Sequence, residues 1–280
     1  LRRQRQMCIR DSVYTDITQS LSLGGLTYGV TNMELTSAYA SIANGGTYQK
    51  PVLYTKVVDH NGNILLSNTQ KGKRVMKEST AFLLTDAMKD VITKGTGKSA
   101  KLSSSMAVAG KSGTTSNSYD YWFSGYTPYH TASVWMGYDK NTNFASDNTH
   151  KKIWAKVMNE IIKTKQEQTT DFKKPADIVK AKVCKESGKL AIKGVCDHDP
   201  RGSRVITEYF EKGTVPTQTC DIHVAVEVCK TSDKLATKNC PANKKQRKIY
   251  IVRKKGSHGK TADTPYLLPK KYQSVFCKKH

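Results

Sequence analysis

The chain has 280 residues, with 46 Lys and Arg against 23 Asp and Glu, a formal net charge of +23. This length suits one large domain or two smaller ones, and no apolar run reaches the roughly 18–20 residues that cross a bilayer. Residues 151–280 carry about +17 of the excess charge, which favours polyanions (nucleic acid, anionic lipid heads or anionic wall polymers) without choosing among them. The aromatics do not interleave with the basic runs as a stacking platform requires, so no nucleic-acid partner is expected.

Residues 1–12, LRRQRQMCIRDS, contain no apolar leader core and share no pattern with the rest of the chain. They read as a remnant foreign to the fold, and Cys8 is set aside with them. The first helix is predicted after the Gly-rich turn at 24–25. Thr31 is its N-cap, Glu34 completes a capping box, and Leu35, Ala38, Tyr39 and Ile42 form one apolar face. Asn44-Gly45-Gly46 ends it. A hairpin comes next, two apolar strands around Asn61-Gly62. A second amphipathic helix over 78–94 presents Ala81, Leu84, Ala87, Met88, Val91 and Ile92. Three strand-like runs succeed it, at 106–115, 119–127 and 131–138, with turns short enough for antiparallel pairing. A helix over 150–163 closes this part through Ile153, Trp154, Val157, Met158, Ile161 and Ile162. The expected class is α+β, an antiparallel sheet flanked by helices, over residues 13–165.

After this point the composition changes. VCKESGKLAIKGVC (183–196) and VCKTSDKLATKNC (228–240) are two copies of one pattern. Residues 166–243 are therefore read as a Cys-repeat extension, and the basic stretch 244–280 as a mobile tail.

The chemical centre is Lys111-Ser112-Gly113-Thr114-Thr115. A strand interior normally avoids both Lys and Gly, so this run belongs on a sheet edge or lines a site. Gly113 leaves one face open to an approaching backbone. Lys111 supplies a positive charge, and the hydroxyls of Ser112 and Thr114 can hold a carboxylate. An exposed edge can also pair with an extended peptide by strand addition. The combination suits a short peptide with a free carboxylate.

The context gives the run its specificity. AGKSGTT followed by YDYWFSGYTP and SVWMGYD resembles the strands of class A penicillin-binding proteins, the bifunctional peptidoglycan synthases, whose third motif is Lys-Thr-Gly. SLGGLTYGVTNMELTSAYASIANGGTY resembles the family's segment between its second and third motifs. The match in order and spacing runs from about residue 20 to about 163. EYFEKGTVPT and the Cys-bearing segment resemble the C-terminal extension of clostridial-type members. The resemblance implies a serine D,D-transpeptidase that cross-links peptidoglycan stem peptides through an acyl-enzyme, is acylated by β-lactams and needs no cofactor. It also implies a glycosyltransferase domain and an N-terminal membrane anchor in the parent protein, on the extracellular face of the cytoplasmic membrane. By the same resemblance, Lys111 would assist proton transfer and the Thr114 N–H would form half of the oxyanion hole. Ser112, Gly113, Thr114 and Thr115 would hold the substrate. Ser112 stands where Thr is commoner and keeps the hydroxyl.

The family's Ser-x-x-Lys and Ser-x-Asn belong upstream of Lys111, and neither is present there. Ser257-His258-Gly259-Lys260 and Ser146-Asp147-Asn148 match the patterns by coincidence in a Ser- and Lys-rich chain. The nucleophile is therefore expected on sequence before residue 13, and this chain alone is expected to be inactive. Two rivals are a serine β-lactamase or carboxypeptidase relative and a non-catalytic wall-peptide-binding module.

Cys184 and Cys196, and Cys229 and Cys240, close small loops. Disulfides are the plain reading in an exported protein, each contributing about 3 kcal/mol. Cys220 and Cys277 remain as a possible third pair. Cys196-Asp-His198 and Cys220-Asp-Ile-His223 bring Cys near His, as zinc sites do. Neither has the Cys-x-x-Cys spacing of a ribbon, and no metal is assigned.

Overall fold

The computed structural model describes residues 14–252 and 261–279. The chain divides into two compact units, Leu1–Ala176 and Asp177–His280. The division falls 11 residues after the sequence-based boundary at 165/166.

In the first unit, helix α1 spans Asn32–Ala43 and opens on the expected capping box. The Glu34 N–H donates to the Thr31 hydroxyl, and the Glu34 carboxylate accepts from the Thr31 N–H. Strands β1 (Thr47–Tyr48), β2 (Lys56–Val58), β3 (Ile64–Ser67) and β4 (Lys73–Arg74) form two small antiparallel ribbons, β1 with β4 and β2 with β3. The β2–β3 hairpin turns at Gly62, whose φ of 85° is the left-handed conformation that glycine adopts without strain. Its strands are exposed on both sides. Helix α2 spans Glu78–Thr93. Strands β5 (Ala109–Thr114), β6 (Asp120–Tyr126) and β7 (Thr131–Gly137) form a three-stranded antiparallel sheet in that order, and helix α3 (Thr149–Lys165) closes the unit.

Register explains how this sheet is clothed. Ala109 pairs with Tyr126, so the two share a face; with Met88 they pack against Tyr39, Ile42 and Phe172. Ser112 pairs with Phe123, which puts Phe123 on the opposite face. There it joins Val108, Leu102, Met106, Ile92, Trp154 and Met158. Helix α2 serves both clusters, through Met88 and Ile92. Of the apolar face expected on α3, Trp154 and Met158 are fully buried, whereas Ile153 and Val157 are largely exposed. Trp154 donates its indole N–H to the Ala132 carbonyl at 2.9 Å and meets Phe123 edge-on at 5.2 Å.

The second unit is a duplicated element. Strand β8 (Ile178–Cys184) pairs antiparallel with β9 (Val205–Glu211), and β10 (His223–Cys229) pairs with β12 (Lys245–Ile251). A short strand, β11 (Lys234–Leu235), flanks β10 on its other side. Each copy ends its first strand on a cysteine, then turns through a left-handed residue four positions on, Gly188 or Asp233.

This corrects the reading of 244–280 as a mobile tail. Residues 245–251 form a full-length partner of β10, a short helix, α4, spans Lys271–Ser274, and Cys277 is buried. The second copy of the repeat thus runs well past Cys240. Its strand was missed because Lys245, Gln246, Arg247 and Lys248 mask the alternation. The Ser257–Lys260 tetrapeptide and residues 1–12 lie outside the described residues.

Candidate functional site

Lys111, Ser112, Gly113 and Thr114 lie on β5, which is an edge of its sheet among the described residues. The strand begins buried at Ala109 and Gly110 and emerges at Lys111. Two glycines on it do different work. A Cβ at Gly110 would strike the Phe123 ring at 2.8 Å and the Gly125 Cα at 2.9 Å, so this glycine serves packing. A Cβ at Gly113 would meet only the Trp122 Cβ, at 3.5 Å. Among the described residues nothing else fills the space beside Gly113, as a site for a foreign backbone requires.

The Lys111 ammonium donates to the Ser112 carbonyl at 2.7 Å. The Ser112 and Thr96 hydroxyls are 2.9 Å apart, which ties the strand to the loop after α2. Thr115 differs from its neighbours. Its hydroxyl donates to the Asp120 carboxylate at 3.0 Å and accepts the Asp120 N–H at 2.9 Å. The other Asp120 oxygen accepts the Trp135 indole N–H at 2.8 Å. Thr115 thus closes the β5–β6 turn, where Asn117 and Ser118 adopt positive φ. Its hydroxyl is already engaged there, unlike an open substrate contact. The sequence reading missed Asp120, Thr96 and the Trp122–Trp135 pair, whose rings lie 6.4 Å apart beside the open glycine. The pairing of Gly113 with Trp122 becomes readable only once the register is known.

Ser146-Asp147-Asn148 leads into α3. The Ser146 hydroxyl lies 3.2 Å from His150 Nδ1, the Asp147 carboxylate pairs with Lys152, and Asn148 accepts from the Lys151 ammonium. Burial pushes the His150 imidazole below its ordinary value, and the Lys151 charge adds to this. Burial likewise lowers the Lys151 ammonium, helped by the Lys111 charge.

The comparisons identify this unit. The family described as the penicillin binding protein transpeptidase domain matches residues 10–163. The chain belongs to the penicillin-binding protein transpeptidase family. The family described as the penicillin-binding protein 1A C-terminal domain matches residues 174–225, which cover the first copy of the repeat. Penicillin-binding protein 1A of Clostridium botulinum (strain Langeland) is 37% identical over 89% of this chain and 30% of its own length. That of Clostridium novyi is 32% identical over 93% of this chain and 30% of its own. The chain therefore spans about a third of the curated relatives it matches. The solved structure of penicillin-binding protein 1A from Haemophilus influenzae has a TM-score of 0.61 at 24% identity, covering 78% of this chain and 36% of that one, and shows the shared fold. The family resemblance read from the sequence is accordingly shown. No helix among the described residues is long and apolar enough to cross a membrane.

The second unit holds two further clusters. The thiols of Cys184, Cys196 and Cys220 lie together with the His223 imidazole, all buried, and those of Cys229, Cys240 and Cys277 form a second group. The six described cysteines are free. The spacing brought Cys184 to Cys196 and Cys229 to Cys240, but each pair has acquired a third thiol. Cys220 and Cys277, expected as a third pair, belong to different clusters. His223, which the sequence sets beside Cys220, and Asp199, which the sequence reading missed, complete the first cluster: His223 Nε2 and Asp199 Oδ2 are 2.7 Å apart. Burial alone would raise the Asp199 carboxyl, but hydrogen bonds from Arg201 and His223 hold it well below the usual carboxylate range.

Proposed function

We propose that this chain supplies the third-motif edge of a serine D,D-transpeptidase site in a class A peptidoglycan synthase. The observation that carries the reading is β5: an exposed edge strand with Lys111, Ser112 and Thr114 beside an unfilled glycine face. In the proposed mechanism an extended stem peptide lies along this edge. The hydroxyls of Ser112 and Thr114 hold its terminal carboxylate, and Lys111 anchors it electrostatically and assists proton transfer. The Thr114 N–H stabilises the developing oxyanion, a contribution of about 3–4 kcal/mol per donor in comparable sites. A serine of the Ser-x-x-Lys motif attacks the peptide bond before the terminal D-Ala, releases that residue and passes the acyl group to a neighbouring amine. β-Lactams acylate the same serine. The parent enzyme would work on the outer face of the cytoplasmic membrane, and the basic surface of the second unit would face anionic wall polymers or lipid heads.

Fluorescent penicillin tests the reading on this chain and on a parent chain extended through Ser-x-x-Lys. The extended chain should label and the present one should not. Lys111→Ala in the extended chain should slow acylation by about 100-fold or more. Labelling of the short chain would place the nucleophile elsewhere and overturn the assignment. An extended chain that folds but does not label would favour the wall-binding module.

A further inference from the structure

We propose that Cys184, Cys196, Cys220 and His223 form a structural zinc site that organises the second unit. The ligand atoms, three Sγ and the His223 Nδ1, all lie within 4.8 Å of one another. Zinc–ligand bonds of about 2.3 Å to sulfur place tetrahedral ligand atoms about 3.8 Å apart, so the group has the dimensions of a closed four-coordinate site. Nδ1 is 3.4 Å from the Cys184 sulfur and 3.3 Å from the Cys220 sulfur. Three thiolates and an imidazole select zinc over the hard, oxygen-seeking cations.

The surroundings are arranged for a metal ligand. The carboxylate of Asp199 accepts a hydrogen bond from His223 Nε2, which leaves the Nδ1 lone pair facing the sulfurs. Asp199 is itself held by the Arg201 guanidinium through both carboxylate oxygens and by the Arg201 N–H. Such a carboxylate behind a ligating imidazole is the usual way to fix its orientation. The Ile192 N–H donates to the Cys196 sulfur at 3.3 Å, as suits a thiolate. Zinc binding displaces the three thiol protons and leaves the imidazole neutral, so the assembled centre carries one negative charge.

A disulfide accounts for the cluster less well. Any single S–S bond would use two of the three sulfurs and leave a buried thiol beside a buried, oriented imidazole. A metal uses all four groups. The duplication points the same way. The second copy gathers Cys229, Cys240 and Cys277, and the Thr237 N–H donates to the Cys240 sulfur at 3.3 Å. In the sequence, His280 follows Cys277 at the spacing by which His223 follows Cys220. His280 lies outside the described residues, so the proposal rests on the first cluster.

The test is the zinc content of the full chain, measured by elemental mass spectrometry after exhaustive dialysis, together with intact mass and thiol titration. Zinc should be retained with every thiol reduced. Cys196→Ser should lower the content by about one equivalent, while His223→Cys, which offers a fourth thiolate, should keep it. Cobalt substitution of the unmutated chain guards against variants that simply misfold. It should give the intense visible bands of a tetrahedral site with thiolate charge transfer. A zinc-free chain whose mass shows disulfides would overturn the proposal, as would a chain with free thiols that takes up neither zinc nor cobalt.

Discussion

In residues 14–176 the largest fully buried side chains are Trp154, Tyr126, Phe123 and Met158; in the second unit the buried clusters are built around six cysteines. The first unit can close because a sheet, buried on both faces, gives aromatic and aliphatic side chains something to pack on. The second has a two-stranded and a three-stranded ribbon with mostly half-exposed strands, too little apolar surface for a core of the ordinary kind. Small folds of this sort are stapled by disulfides or metals. The contrast teaches that one chain can stabilise two successive units by different physics, and that each should fail under a different insult.

The reporters separate conveniently, because all three tryptophans, at 122, 135 and 154, lie in the first unit. The largest expected effect is metal removal. A strong chelator, or mild acid that reprotonates the thiolates, should abolish the cobalt spectrum and the ordered structure of the second unit while tryptophan fluorescence still reports a folded first unit. Simultaneous collapse of both signals would break the comparison. Next is Trp154→Ala, which should cost about 3–5 kcal/mol in denaturant unfolding and leave zinc content unchanged. Gly110→Ala should destabilise by about 1–3 kcal/mol through its clash with Phe123, whereas Gly113→Ala should leave stability nearly unaltered and instead slow acylation in the extended parent chain. Thr31→Ala, which removes the hydroxyl of the α1 cap, should cost about 1 kcal/mol.

The smallest expected effect is a pH dependence. His150 is buried neutral, with its pKa below the ordinary value of about 6.5. The unfolded chain therefore takes up a proton at a higher pH than the folded one. Stability from this group is complete above about pH 6.5 and is lost as pH falls through the folded value. Melting followed by tryptophan fluorescence should decline from pH 7 to pH 5, and His150→Gln should flatten that decline.

Legibility in the sequence followed the range of the interaction. The capping box at Thr31 and Glu34, the hairpin at Gly62 and the helical spacing of Trp154 and Met158 are local, and a few neighbouring residues specify them. The edge position of Lys111 was legible because Lys and Gly conflict with a buried strand. The exposure of Ile153 and Val157 was not, because it depends on where α3 meets the sheet. Asp120 closing onto Thr115 and Trp135, and Cys220 and His223 joining Cys184, depend on pairings that link distant residues. β12 stayed hidden because its long basic side chains keep their heads in water, so an ordinary strand reads as a charged run.

Gly110 and Gly125 stand directly opposite each other on β5 and β6. The Phe123 ring lies within 2.8 Å of the Cβ position at both, and Trp154 within 3.0 Å of it at Gly125. The four positions therefore amount to a single heritable unit. A lineage that enlarged either glycine would have to shrink an aromatic in the same step or soon after, so in descendants of this sequence the two glycines and the two rings should be inherited, or replaced, together.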